Sequence, residues 1–317
     1  MKSAYLVWTE AGNSNQAIGD KRKGAAVEEL ITEQKFASLD EFWDALSPIG
    51  KIFGNPLTKF IYRGQSDGDW KLVPQVYRQA IIDRYRTGMH AALGKDHIGQ
   101  THFEWWLLES FLYHCDQRGL AIPGDSMEFR KFFEIQNIMT VNGIANHGWP
   151  QMQVLPMMAM AQHHGIPTRL LDWSSNAMVA CYFAAAGAVN KPTPQTGQTL
   201  AVFGFTFNSY RREVGFRHVR VPGSTSANLS AQGGSFILVN NNGYRGEEFA
   251  IDADLESTLN STDRLIKLTL PIELAGELLM RCHKFGFSAA TVFPGYDGAA
   301  KAVLERQLAV SFLERLV

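Results

Sequence analysis

The chain is 317 residues long, 45% hydrophobic and 19% charged, with a formal net charge of -1. That balance allows one substantial core, and it excludes a global field that would draw the protein to nucleic acid or to an acidic membrane. Three cysteines, Cys115, Cys181 and Cys282, stand far apart with no CxxC or Cys/His metal spacing, which argues for a reducing compartment rather than a disulfide framework. The apolar run in Met1–Trp8 is too short for a signal peptide, and no apolar run is long enough to span a bilayer. The expectation is a cytoplasmic protein without a membrane partner.

In chain order, Tyr5 to Trp8 reads as a short strand, and Ala25 to Glu33 as a helix. Ser38-Leu-Asp-Glu41 is a capping box that opens a helix through Phe42, Trp43 and Leu46. Thr58 to Gln65 forms a strand ending in Arg63-Gly64, and Trp70 to Pro74 returns as an extended segment. Phe103 to Cys115 carries the apolar load of a buried helix; Met127 to Ile138 and Met152 to His164 read as two more.

The stretch from Ala159 to Ala184 stands apart. An apolar helix is stopped by Gly165 and Pro167. A second apolar helix opens at Ser175 or Asn176 as N-cap and runs towards Gly187. The connector between them packs Thr168, Arg169, Asp172, Trp173 and Ser174 around only two leucines. A connector needs turn and cap residues; polar groups held between apolar flanks are satisfied by one another or by a ligand.

After Gly187 the pattern turns to strands. Thr199 to Phe207 is a β run broken by Gly204, and Ser235 to Val239 and Arg264 to Leu270 are further strands. Arg211, Arg212, Arg217 and Arg220 read as a solvated basic loop, and Ser224 to Gly234 as a small, polar, mobile loop. Pro271 begins a helix through Leu279, Ala289 to Phe293 is a final strand, and a closing helix runs to Leu316. The fold class is α+β: one mixed domain with a helical front half and a mostly antiparallel sheet drawn largely from the back half.

Arg63 ends a strand beside Gly64 and Gln65. A glycine there admits close backbone approach, and a guanidinium suits a phosphate or a bidentately held pyrophosphate. The other reading is an arginine that pairs with Asp172 to pin the central stretch. His163 and His164 point about a quarter-turn apart on a helix and so make a poor ligand pair for one ion. No Gly-x-Ser-x-Gly elbow surrounds Ser174, and neither a Walker A sequence nor GxGxxG occurs, so no metal and no Rossmann or P-loop chemistry is expected.

Phe60-Ile-Tyr-Arg-Gly-Gln65 with Trp70 and Pro74, followed by Gln162-His-His-Gly-Ile-Pro-Thr-Arg-Leu-Leu-Asp-Trp-Ser174 with Ala180 and Tyr182-Phe-Ala184, resembles the FRG domain, a family named for a (Phe/Tyr)-Arg-Gly motif. Ala231-Gln-Gly-Gly-Ser-Phe236 and Gly286 to Gly298 extend the resemblance in the same order. The sequence departs from the pattern at Gly295-Tyr296, where a more acidic and aliphatic pair is expected. It also lacks an arginine just before Gln232, which removes one basic ligand contact. The resemblance implies an FRG domain over 38–317 with residues 1–37 as an extension packed on the core.

FRG proteins are associated with bacterial and phage-related conflict systems, and their layout is similar to ADP-ribosyltransferases of the Arg-Ser-Glu type. By that similarity NAD is the expected substrate, in ADP-ribosyl transfer or NAD cleavage by a toxin or anti-phage defence effector. The acceptor would be a protein or nucleic acid, and a partner protein of a defence or toxin–antitoxin system is implied. Arg63, Asp172, Gln232 and Glu248 are the expected catalytic set, with Gln232 standing where a Glu is wanted and Glu247-Glu248 following to take that role. Tyr62, Arg63, Gly64, Gln65, His164, Thr168, Arg169, Trp173 and Ser174 are the expected NAD-binding set. The alternative is a non-catalytic nucleotide- or nucleic-acid-binding sensor.

Overall fold

A computed structural model describes residues 30–142, 145–191, 197–207, 215–223 and 227–314. The strand expected at Tyr5 to Trp8 and the pair Arg211-Arg212 lie outside them. The strands are β1 (Ile31–Lys35), β2 (Ile61–Gln65), β3 (Leu170–Ser174), β4 (Thr199–Thr206), β5 (Phe216–Val219), β6 (Gly234–Val239) and β7 (Arg264–Pro271). The front-half helices are α1 (Leu39–Ala45), α2 (Gln79–Tyr85), α3 (Met89–Ala92), α4 (His97–Asp116), α5 (Met127–Phe132), α6 (Ile135–Asn142) and α7 (Leu155–His163). They are followed by α8 (Ala177–Val189), α9 (Ala227–Ala231), α10 (Ala275–Lys284), α11 (Ala289–Val292) and α12 (Tyr296–Glu314).

The strands form one sheet in the order β1-β7-β4-β2-β3-β6-β5. Every pairing is antiparallel except β1 with β7. Period-2 alternation sends side chains to opposite faces. On β4, Leu200 and Val202 join the core beneath α8, α10 and α12, whereas Ala201, Phe203 and Phe205 join the core under the 71–77 segment and α4. A third core packs α4 to α7 against Leu170 of β3 and Phe236 and Leu238 of β6. The α+β class with a mostly antiparallel sheet is what the sequence predicts.

Several local expectations are overturned. The central connector contains a strand, β3, which lies inside the sheet and pairs with β6 from Leu170↔Leu238 to Ser174↔Gly234. Ile31 to Glu33, expected to end a helix, opens β1 instead, because the free edge of β7 pairs with it. Gly204 does not break β4: a Cβ there would stand 2.4 Å from the Phe53 ring, so the glycine makes room for a core aromatic. Ala289 to Val292 is helical rather than extended, and the Thr291 hydroxyl closes its first turn by accepting the Ser288 amide at 2.9 Å. Met127 to Ile138 is split into two helices near Phe133. Part of the expected polar loop is the helical turn α9, and Arg217 lies in β5, where Nη2 donates to the Pro150 carbonyl at 2.7 Å.

Candidate functional site

β2 and β3 are neighbours, yet they pair only at Tyr62↔Ser174. Beyond that point the two strands diverge, and the sheet opens into a cleft of about 490 Å³ between them. That volume lies within the range of small-molecule sites. Extended backbone in such a fork loses ladder partners, which side chains must replace. Arg63 does so: Nη1 donates to the Asp172 carbonyl at 2.8 Å.

The same guanidinium stands 3.8 Å from Asp172 Oδ2, with the carboxylate 66% exposed and the Arg63 side chain 16% exposed. Arg63 Nε is buried and has no hydrogen-bond partner among the described residues. Burial pushes the Arg63 guanidinium below the usual arginine range; Asp172 counters that, and Arg78 adds to it. The pinning reading of Arg63 is therefore met through a backbone carbonyl and not through a buried ion pair.

Asp172 is held in place by a short relay. The Leu170 amide donates to Thr168 Oγ1 at 3.1 Å, the Thr168 hydroxyl donates to Gln162 Oε1, and Gln162 Nε2 donates to Asp172 Oδ1 at 2.8 Å. Gly165, at φ +90, ends α7 and turns the chain from the helix carrying Gln162 into β3. Asn176 then caps α8 by accepting the Met178 amide at 2.9 Å. Asp172 is the one carboxylate that lines the cleft among the described residues.

Of the expected residues, Tyr62, Arg63, Gly64 and Gln65 line the cleft from β2, and Asp172, Trp173 and Ser174 from β3, with Gln232 beside them. Their roles differ from expectation. A Cβ on Gly64 would stand 1.9 Å from the Ala180 carbonyl oxygen, so this glycine admits the backbone of α8 rather than that of a ligand. Gln65 Nε2 is committed to the Trp70 carbonyl at 2.8 Å. Ser174 Oγ donates to the Gln232 carbonyl at 2.6 Å and accepts the Asn176 amide at 2.9 Å, which leaves the hydroxyl without a spare proton. The Gln232 amide donates to the Val292 carbonyl at 3.3 Å. Tyr62 packs edge-on against Phe53, and burial pushes its hydroxyl up to about 12.

Four expected site residues lie elsewhere. Arg169 is fully buried and makes a two-pronged pair with Glu104, Nε to Oε2 at 2.7 Å and Nη2 to Oε1 at 2.9 Å. Its Nη1 donates to the Trp149 carbonyl at 3.1 Å, so each of the three guanidinium nitrogens is bonded inside the fold. Glu248 is exposed and bridges to Asp96 through backbone, away from the cleft. His164 is exposed, with its ring stacked on Phe111, and does not line the cleft; its neighbour His163 does. Thr168 acts on the site only through Gln162.

Sequence reasoning missed Arg78 and gave no role to Gln162. Both line the cleft. Gln162 was open to detection, since it opens the second motif. Arg78 had no local signal, because only the turn at Gln75–Tyr77 brings it beside Arg63. No group of three His, Cys, Asp or Glu residues among the described residues could hold a metal ion, and no described helix is long and apolar enough to cross a membrane.

Residues 58–192 match the family model of the FRG domain. No curated protein matches the chain, and no solved structure does. The matched segment contains β2, the relay from Gln162 to Asp172 and all of α8, whereas Gln232, on the far lip of the cleft, lies outside it. Over 58–192 the chain matches the FRG domain, and the two motifs that carry the resemblance form the two walls of the fork.

Proposed function

We propose that the fork cleft binds NAD and cleaves its nicotinamide–ribose bond, passing the ADP-ribosyl group to water or to a protein or nucleic-acid acceptor. One observation carries this reading: a guanidinium with spare donors, Arg63, and an oriented carboxylate, Asp172, face the same cleft. Arg63 would hold the pyrophosphate, and Asp172 would stand near the ribose hydroxyls. In the reaction the C1′–N bond breaks and its electron pair leaves with nicotinamide, quenching the positive charge of the ring. The oxocarbenium-like C1′ is then taken by water, whose proton passes to solvent. A fixed carboxylate facing that developing charge is a stabilising arrangement.

A second reading, nucleotide binding without turnover, is favoured by Gln232. No glutamate lines the cleft among the described residues, and the amide that stands in its place is tied to Val292. Incubation with NAD, following free nicotinamide and the mass of the chain, separates the two. Under the first reading nicotinamide is released and Asp172→Asn releases much less while still binding NAD. Tight binding with no nicotinamide release selects the sensor. Failure to bind NAD at all removes both.

A further inference from the structure

Arg78 joins the turn Gln75–Tyr77 to α2 and reaches the cleft from a third segment of chain, outside both signature motifs. Its Nε and Nη2 both donate to the Val73 carbonyl, at 3.2 and 3.1 Å, so the plane of the guanidinium is fixed by backbone. Asp252, the carboxylate whose field it feels, accepts the Gln79 amide at 3.2 Å instead. Nη1 of Arg78 has no hydrogen-bond partner among the described residues.

Arg63 is in a related condition. One donor is spent on the Asp172 carbonyl, and Nε is buried without a partner. Arg78 lies close enough to disfavour the charge on Arg63, and burial disfavours both guanidiniums. The compensation on hand is thin. Asp172 is 3.8 Å from Arg63 and holds Gln162, while Glu256, behind the wall, is occupied by the Leu72 amide at 3.0 and 3.1 Å. Paired cations in a partly dry cleft are costly unless an anion completes them. Two rigid forks on separate segments also fix how much anion is wanted, since one phosphate is satisfied by a single guanidinium.

We propose that Arg78 and Arg63 together form a diphosphate subsite, Arg78 taking the second phosphate, so that the cleft selects ligands with two adjacent phosphates over monophosphates. This rests on the nucleotide reading above only in where the rest of the ligand goes. The test is calorimetric titration at fixed ionic strength with four probes: ADP-ribose, AMP, inorganic pyrophosphate and inorganic phosphate. Wild type should bind ADP-ribose and pyrophosphate well ahead of AMP and phosphate. Arg78→Gln, which keeps a donor for the Val73 carbonyl, should weaken both diphosphates by about tenfold to a hundredfold and leave AMP within a few-fold. Arg78→Lys, which keeps the charge and loses the fork, should fall between and guards against a folding defect in the glutamine variant.

Equal losses for AMP and ADP-ribose, or no loss for either, would overturn the subsite with the nucleotide reading intact. Binding of pyrophosphate but not of ADP-ribose would retain the subsite and remove the nucleotide. A wild type that binds none of the four probes would end both.

Discussion

Arg63 lies on β2 and Arg169 immediately before the neighbouring β3, each within reach of a carboxylate, and they do opposite work. Arg169 is fully buried, uses both prongs on Glu104 and a third donor on Trp149, and rests over the Tyr77 ring at 5.5 Å. Arg63 makes one hydrogen bond to a backbone carbonyl, stands 3.8 Å from an exposed carboxylate and keeps a buried Nε without a partner. A fully buried guanidinium with all three nitrogens bonded inside the fold is framework. One with donors left over beside a cavity is available to a ligand. The motif Pro-Thr-Arg-Leu-Leu-Asp-Trp thus holds the frame at its third residue and the site at its sixth.

That contrast can be broken from the frame side first, where the largest effect is expected. Glu104→Ala strands the Arg169 charge and removes the acceptor of the Trp149 Nε1 hydrogen, so unfolding free energy should fall by about 3–5 kcal/mol. Chemical denaturation checks this; a loss under about 1 kcal/mol would mean that Arg169 is not the anchor it resembles. Arg63→Ala should behave in the opposite way. It gives up one exposed-edge hydrogen bond, worth about 0.5–1.5 kcal/mol of stability, but about 1.5–3 kcal/mol of ligand affinity, or roughly tenfold to a hundredfold. Thermal unfolding beside NAD titration reads both, and a melting temperature as depressed as that of Glu104→Ala would make Arg63 framework too.

Gly64→Ala sharpens the comparison within β2 itself. The new Cβ would meet the Ala180 carbonyl, which belongs to helix backbone and cannot rotate away, so a loss of about 1–3 kcal/mol is expected. A stable Gly64→Ala protein that merely failed to bind ligand would return this glycine to the site.

The smallest effect is on pH dependence. His218 on β5 is pushed down to about 4 from 6.5 by burial, with Arg220 adding to the shift. The unfolded chain therefore takes up a proton near 6.5 that the folded chain refuses until about 4. Its contribution is complete above 6.5 and is lost progressively as pH falls towards 4. His218→Gln should flatten the fall of melting temperature across that window. Some slope should survive, because burial also pushes His90, His97 and His102 down. An unchanged profile would show that His218 is not held neutral.

Local chemistry in the sequence was enough for the elements whose causes are local. The helix start after Ser38 (though the Ser38 side chain makes no capping bond), the stop at Gly165, the cap at Asn176 and the strands at Phe60, Ser235 and Arg264 all rest on spacing that a short segment carries by itself. The pairing of the Tyr-Arg-Gly strand with the Asp-Trp-Ser run was legible as well, since two polar clusters in an apolar chain need a common use. Tertiary structure decided what depends on partners far along the chain. Leu170 to Ser174 has no β-branched residue and becomes a strand because β2 and β6 flank it with unpaired backbone. Which arginine is buried was settled by Glu104, 65 residues upstream. The cleft itself exists because β2 and β3 pair at one position and then part, and no short stretch of sequence encodes where two strands separate.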